Sequence, residues 1–236
     1  MKKVILLVTL LQFILTNLST AQTKLYAEIG YGGYDMPGMI DFQNGLKDQI
    51  PVNARTVEEY PDFMNLSLYS RITLDSVFSI GPFIRYQSTG GRVSYKDFSG
   101  SITLDNNISA FALGATSEMI LQRKKMSYLA LNLNAGVFFT QDKFEYKTLI
   151  YDEQESTSLV FNSTNFFLEP GINYNLQLIH PLNIFVAAGY CIDIGANLSP
   201  SGNRKAILAN SEGQNVKSSW TGYRFGVGLM ITIPEF

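Results

Sequence analysis

The 236-residue chain is poor in the residues that build metal centres, disulfide frameworks and histidine-based active sites. It contains one cysteine and one histidine, which excludes a disulfide scaffold, a zinc ribbon and a histidine cluster. Charged residues make up 16% of the chain, against roughly 25% in soluble domains. This deficit argues against an ordinary cytosolic protein. The 20 acidic residues outnumber the 18 basic ones, so there is no reason to expect nucleic-acid binding.

The N-terminus has the pattern of a secretory signal peptide. Two lysines precede an apolar run from Val4 to Leu15, and small residues follow it. A membrane anchor is the alternative, but the run falls short of the about 20 apolar residues that a spanning helix needs. We therefore predict a signal peptide over 1–21, cleaved between Ala21 and Gln22, and one mature domain over 22–236.

Apolar residues in the mature chain recur at every second position, which is the period of a β-strand. Eight segments show this alternation, and their first apolar residues are Leu25, Met64, Phe78, Phe111, Leu129, Phe166, Ile184 and Tyr223. The opposite face of each segment reads as polar or very small. We expect the apolar faces to contact lipid and the polar faces to meet in a narrow interior, as in a closed membrane barrel. A soluble carrier, with the apolar faces turned inward, is the alternative.

The lengths of the connections give an independent test of this interpretation. Short turns are predicted near Asp75, between Gln122 and Ser127, and around His180-Pro181, and they alternate strictly with four long connections. This rhythm is typical of barrels with one periplasmic and one external rim. The sequence therefore predicts an all-β, eight-stranded antiparallel up-and-down transmembrane β-barrel with four long external loops and three short periplasmic turns.

These features resemble the small eight-stranded outer-membrane barrels of the OmpX and OmpA-domain kind and, more loosely, the PorT-like barrels. The resemblance covers residues 22–236 and includes the aromatic C-terminal residue Phe236. It implies the outer membrane of a Gram-negative bacterium, contact with outer-membrane lipid, and insertion by the barrel assembly machinery. One departure is that Pro234 breaks the outward phase of the last strand, so Phe236 is out of step with it.

Seven ionisable residues fall on the predicted inward face: Glu28, Arg71, Arg85, Glu118, Glu169, Asp193 and Arg224. Because unpaired charges in a narrow lumen are costly, we expect them to form ion pairs. Counting along the strands suggests that Glu28 pairs with Arg71 and Asp193 with Arg224. Such a network either fixes the register as a packed polar plug or opens a thin water path by exchanging partners.

The long connections carry secondary structure of their own. Apolar spacing after Asp35 and Pro37 predicts a short amphipathic helix that ends before Pro51. Alternating residues near Phe144 and Val93 predict two hairpins that continue beyond the membrane. Their edges are either open to a strand from another protein or packed on each other. Pro82 and Pro170 fall inside strands, where we predict bulges because proline cannot donate to a ladder.

No motif in the chain predicts catalysis. Barrel enzymes typically combine Ser or Asp with a rim histidine, whereas His180 lies in a short turn beside Pro181. The basic run Arg123-Lys124-Lys125 also lies in a short turn, and we expect it to be solvated and to face anionic lipid head groups or the cell wall. We therefore predict a non-enzymatic barrel, without cofactor or metal, that acts structurally or through a protein partner at the external hairpins. The alternatives are an accessory subunit of a secretion or outer-membrane assembly machine, and a low-conductance pore.

Overall fold

The computed structural model of the protein describes residues 22–98, 100–151, 153–203 and 205–233. The predicted signal peptide through Ala21, and the out-of-step Phe236, lie outside these residues. Within the described ranges, no helix is both long and apolar enough to cross a membrane.

The described residues form twelve strands and one helix. The strands are β1 (Thr23–Gly32), β2 (Arg55–Glu59), β3 (Phe63–Thr73), β4 (Phe78–Lys96), β5 (Gly100–Arg123), β6 (Ser127–Ile150), β7 (Glu153–Ile179), β8 (Leu182–Asp193), β9 (Ala196–Asn197), β10 (Ser199–Pro200), β11 (Lys217–Ser218) and β12 (Gly222–Ile233). The helix is α1 (Pro37–Gln49).

Eight of these strands close into a ring in chain order. β1 pairs antiparallel with both β3 and β12, β12 pairs with β8, and β8 pairs with β7. The remaining neighbours, from β3 to β7, pair consecutively. This closure leaves no sheet edge around the ring, which confirms the predicted eight-stranded up-and-down barrel.

The outer surface of the ring is apolar. Leu68 is 54% exposed and Val227 is 48% exposed, whereas Ser67 beside Leu68 is 2% exposed. The same contrast repeats along every strand of the ring. An apolar band around a barrel whose backbone is paired internally is the arrangement that a bilayer requires. The alternative of a soluble carrier with its apolar faces turned inward is therefore wrong, and the architecture is that of a transmembrane β-barrel.

The two ends of the barrel differ in their connections. At one end, two to four residues join β3 to β4, β5 to β6 and β7 to β8, and β1 begins and β12 ends there. At the other end, β4 and β5 pair as far as Lys96 and Ser101, and β6 and β7 pair as far as Ile150 and Glu153. The predicted rhythm of short and long connections and the two predicted hairpins are present.

The two hairpins are not separate, because β5 and β6 also pair along their whole length, from Gly100 opposite Ile150 to the short-turn end. We call the part of β4 to β7 beyond the lipid band the outer sheet. Strands β5 and β6 have 24 residues each. At about 3.3 Å per residue and a tilt of about 40°, they rise about 60 Å, against an apolar band about 25 Å tall. The outer sheet therefore projects about 30 Å beyond the lipid.

Helix α1 packs on the inner face of the outer sheet. The ring of Phe42 meets that of Phe144 edge-on at 5.4 Å between centroids, and Met39 is fully buried. Around them lies an apolar cluster that includes Val93 and Leu104 of the outer sheet and Trp220. The predicted helix is thus present, begins at Pro37 as expected, and covers the rim.

The predicted bulges at Pro82 and Pro170 are wrong. Pro82 pairs in register with β5, and Pro170 pairs in register with β6. On the other side of each proline, the pairing with β3 or β8 is interrupted and then resumes in the same register. Skipping two residue pairs at each proline avoids the missing N–H without inserting an extra residue. Within the barrel, register shifts occur instead beside the short turns, at 120–122 and 177–179.

A charge placed in the middle of the apolar band tests this orientation. We expect Leu68→Arg to lower the free energy of unfolding in phospholipid vesicles by about 2–4 kcal/mol, because an arginine at mid-bilayer is costly. Leu159→Arg is the matched control, since Leu159 is 58% exposed on the outer sheet. Urea titration followed by tryptophan fluorescence measures both. An equal effect of the two substitutions would contradict the membrane placement.

Candidate functional site

The lumen nearest the short turns is closed by a buried ion pair. Arg71 Nη1 lies 2.7 Å from Glu118 Oε2, and both side chains are buried. Arg71 Nη2 donates to Thr116 Oγ1 at 2.9 Å, and Asn173 Nδ2 donates to Glu118 Oε2 at 2.8 Å. Lys24 Nζ lies 3.7 Å from the other oxygen of Glu118. The carboxylate thus holds groups from four strands together.

A second ion pair closes the middle of the barrel. The guanidinium of Arg85 binds Glu169 through two parallel contacts of 2.5 and 2.8 Å. Arg85 Nε also donates to Ser67 Oγ at 2.9 Å, and Asn134 Nδ2 donates to Glu169 Oε1 at 3.0 Å. A bidentate pair with its remaining polar atoms satisfied fixes geometry across the lumen.

The pairs expected from counting along the strands are wrong. Glu28 lies opposite Ser67 rather than Arg71, and its Oε2 accepts a hydrogen bond from Tyr69 Oη at 2.7 Å. Asp193 accepts from the backbone N–H of Trp220, whereas Arg224 donates to the backbone carbonyls of Gly33 and Trp220. Barrel strands are staggered, so equal distances from the rim do not place two residues at the same level.

The inner face of the barrel carries more large aromatic side chains than the sequence pattern predicted. Phe83, Phe138, Phe167 and Phe185 point inward and are buried. Lys24 is also buried and was not among the seven expected lumen charges. The signal that could have found these aromatics is local: each of the four lies next to outward apolar residues, where alternation gives way to a continuous apolar run.

Together these side chains leave almost no space in the middle of the barrel. The void between Glu28, Arg85, Glu169 and Arg224 is about 20 Å³. A single water requires about 10–15 Å³ of such space, so the void holds roughly one water. Below it, the rings of Tyr26 and Tyr69 stack at 4.7 Å. At this level the side chains of the described residues pack closely, and we call this part of the lumen the packed plug.

The outer sheet has two edges, one on β4 and one on β7, and the β7 edge is covered only in part. Strand β2 pairs with β4 opposite residues 91–94. Strand β10 covers β7 only at Phe161 and Asn162, with a further bond from Ser201 N to Val160 O at 2.9 Å. From Glu153 to Leu159, β7 is exposed, and no strand of the described chain pairs on that side. We call Glu153–Leu159 the open edge.

The backbone geometry of the open edge follows from the last covered residue. Val160 turns its carbonyl toward the uncovered side, where it accepts from Ser201. In an antiparallel strand, alternate residues point their N–H and C=O groups to the same side. Ser158 and Ser156 therefore direct their backbone groups away from β6. This edge offers a row of donors and acceptors to another strand.

Apolar side chains at the tips of the outer sheet extend the same surface. Phe98 is fully exposed, Tyr151 is 81% exposed and Ile150 is 55% exposed. These residues lie well beyond the lipid band, so lipid does not account for their exposure. Ile150 and Tyr151 adjoin the open edge, whereas Phe98 lies in the turn between β4 and β5.

Asp142 is a buried acid in the outer sheet that sequence reasoning missed. It lies five residues beyond Val137 on β6, above the apolar band, and is fully buried. Neither carboxylate oxygen has a hydrogen-bond partner among the described residues, and Asn106 Nδ2 donates to Tyr60 Oη instead. Burial raises the pKa of Asp142 well above its ordinary value.

Comparisons with known proteins return structural likeness alone. No protein-family model matches the chain, and no curated protein matches it. Among solved structures, it is similar to the outer membrane protein OprG from Pseudomonas aeruginosa, with 10% identity, a TM-score of 0.48, and coverage of 91% of this chain and 97% of that one. It is also similar to Ail, the attachment invasion locus protein of Yersinia pestis, with 11% identity, a TM-score of 0.41, and coverage of 91% and 99%.

A third similar structure is the outer membrane protease OmpT from Escherichia coli, with 11% identity, a TM-score of 0.36, and coverage of 91% of this chain and 96% of that one. These similarities are too distant to transfer an activity. The architecture rests on the strand pairing and exposure described above. The described residues contain no group of three or more His, Cys, Asp or Glu arranged to hold a metal ion.

The Arg85–Glu169 pair can be tested by removing one charge. We expect Glu169→Gln to lower the free energy of unfolding by about 3–5 kcal/mol, because it leaves the buried guanidinium without its counter-charge. Glu145→Gln is the matched control. Glu145 contacts Lys143 and Lys147 on the outer sheet, where solvent screens ion pairs, so it should have little effect. Equal unfolding curves for the two variants would contradict the structural role of the central pair.

The buried Asp142 predicts a pH dependence of the outer sheet. Its pKa is higher in the folded than in the unfolded chain, so its contribution to stability is greatest at low pH and declines as the pH rises above the ordinary value for Asp. We expect amide hydrogen exchange of the outer sheet, corrected for intrinsic rates, to lose protection from pH 5 to 8. Asp142→Asn should remove this trend, and Glu153→Gln, at an exposed site, should keep it. A trend that survives Asp142→Asn would contradict the assignment.

Proposed function

We propose that the protein is a non-enzymatic outer-membrane barrel of a Gram-negative bacterium that acts through surface interaction. The interaction surface is the open edge together with the apolar tips of the outer sheet. The partner it fits is a protein that supplies an extended strand. This strand would pair with the backbone groups of Ser156 and Ser158 and place apolar side chains against Ile150 and Tyr151.

The observation that carries the proposal is the uncovered length of β7. The chain covers the β4 edge with β2 and the lower part of the β7 edge with β10, yet leaves Glu153–Leu159 exposed. Exposed edges are liabilities that proteins usually cover or shorten, so a long one at the tip of a projecting sheet favours a binding role. The small void in the plug gives no support to the pore alternative.

An accessory subunit of a secretion or outer-membrane assembly machine is the second candidate. The same edge favours it, because a strand from a neighbouring subunit would make the same backbone hydrogen bonds. The two functions differ in the partner: a resident envelope protein in the machine, and an extracellular or host-surface protein in adhesion.

Proline in the open edge tests both versions. Ser156→Pro and Ser158→Pro each remove an outward N–H without touching the ladder to β6. We expect a photo-crosslinker at Leu159 in native membranes to capture a defined partner in the wild type and to lose it in either proline variant. Ser156→Ala and Ser158→Ala are the matched controls, since they keep the backbone donors, and should retain the crosslink.

The identity of the crosslinked protein separates the candidates. A co-purifying envelope protein would favour the machine, and a partner that appears only when extracellular protein is added would favour surface interaction. A crosslink that is unchanged in the proline variants, or that is absent from the wild type both in native membranes and after extracellular protein is added, would contradict the open edge as the binding site.

A further inference from the structure

The short-turn end of the lumen opens into a bowl of about 240 Å³ that no side chain of residues 22–233 in the described ranges fills. Its walls come from the β5–β6 turn, the β7–β8 turn and the ends of β1 and β12. The residues that line it include Lys24, Arg123, Lys124, Lys125, Tyr128 and His180. We call this cavity the basic bowl.

The charge of the basic bowl has one sign. Four of its lining residues are Lys or Arg, and no Asp or Glu among the described residues lines it. Glu118, which pairs with the lining residue Lys24, is shared with Arg71 at 2.7 Å. Clustered cations in a concave site with low-dielectric walls focus a positive potential at its mouth.

Lys24 gives the bowl a fixed cation at its base. The residue is buried, yet its Nζ lies 3.7 Å from Glu118, beyond hydrogen-bond distance, and 5.1 Å above the ring of Tyr128. Glu118 pairs with both Lys24 and Arg71, so this group of two cations and one carboxylate keeps a net positive charge at the base of the cavity. A buried positive charge beside a concave site favours an anion there.

The bowl faces the lumen axis rather than the lipid. Lys24, Tyr128 and Met230 belong to inward phases of their strands, and all three line the cavity. A lipid headgroup at the outer wall would meet the opposite face of these strands. The ligand must therefore come from the aqueous side of the short-turn end.

We propose that the basic bowl is a binding site for a carboxylate or phosphate group presented from that aqueous side. Arg123 Nη2 donates to the carbonyl of Ser76 at 3.1 Å, and the other N–H groups of its guanidinium suit either oxyanion. The lysines supply point charges around it. A volume of about 240 Å³ accommodates such a group with several waters, since a water occupies about 30 Å³. The proposal rests on the proposed function only in naming this end periplasmic.

The test is an amide NMR titration of the full mature barrel in nonionic detergent micelles. The probes are inorganic phosphate, an acetylated dialanine with a free C-terminal carboxylate, and its C-terminal amide. We expect saturable shifts at the short-turn end with phosphate, with the free carboxylate, or with both, and none with the amide. Saturation by one acid alone identifies which oxyanion the bowl takes. Binding should weaken as salt increases.

The double variant Lys124→Gln with Lys125→Gln should raise the Kd of the bound probe about tenfold or more, because charge-assisted contacts are lost. The control is Lys205→Gln with Lys217→Gln, which removes the same charge from exposed sites at the opposite end and should leave the Kd unchanged. Both pairs are exposed, so both variants should fold, and matching spectra without probe would verify this.

Three results would overturn the basic bowl. They are no saturation with either acid, equal weakening in the two double variants, and binding that appears only in nanodiscs of anionic lipid, which would assign the cations to headgroups. None of these bears on the open edge, because the two surfaces lie at opposite ends of the barrel and are tested by different variants.

Discussion

The ring of antiparallel hydrogen bonds is the constraint on which the rest of the structure depends. Because β1 pairs with both β3 and β12, every strand of the barrel has two partners. The backbone N–H and C=O groups within the ring therefore need no hydrogen-bond partner from the surroundings. This frees the outward side chains to be apolar and confines polar side chains to a narrow interior. The interior must then neutralise its own charges, as the Arg71–Glu118 and Arg85–Glu169 pairs do.

The ring of strands is closed within the membrane, but the strands that continue beyond the membrane do not form a closed ring. Above the lipid band, β4 to β7 continue as an open sheet, and an open sheet has edges. The chain uses α1 to cover the inner face of this sheet, β2 to cover one edge and β10 to cover part of the other. The open edge is the part of β7 that none of these elements covers. The proposed interaction surface is thus a consequence of where the ring stops.

The two ends of the molecule present different chemistry because different strand ends meet there. The external end exposes backbone groups and apolar tips such as Tyr151, which suit an extended protein segment. The short-turn end gathers cations around a cavity, which suits an oxyanion. The packed plug between them keeps the two surfaces apart, and each can be altered without disturbing the other.

The two-residue alternation of apolar and polar residues determined the strand number, the outward faces and the membrane class. Successive side chains of a strand point to opposite faces, so the order of residues alone assigns each face. The position of α1 followed in the same way from Pro37 and the apolar spacing after it. The ion pairs did not follow, because strand stagger decides which levels meet, so that Arg71 reaches Glu118 and not Glu28. The open edge and the basic bowl were likewise settled only in three dimensions, where distant strand ends come together.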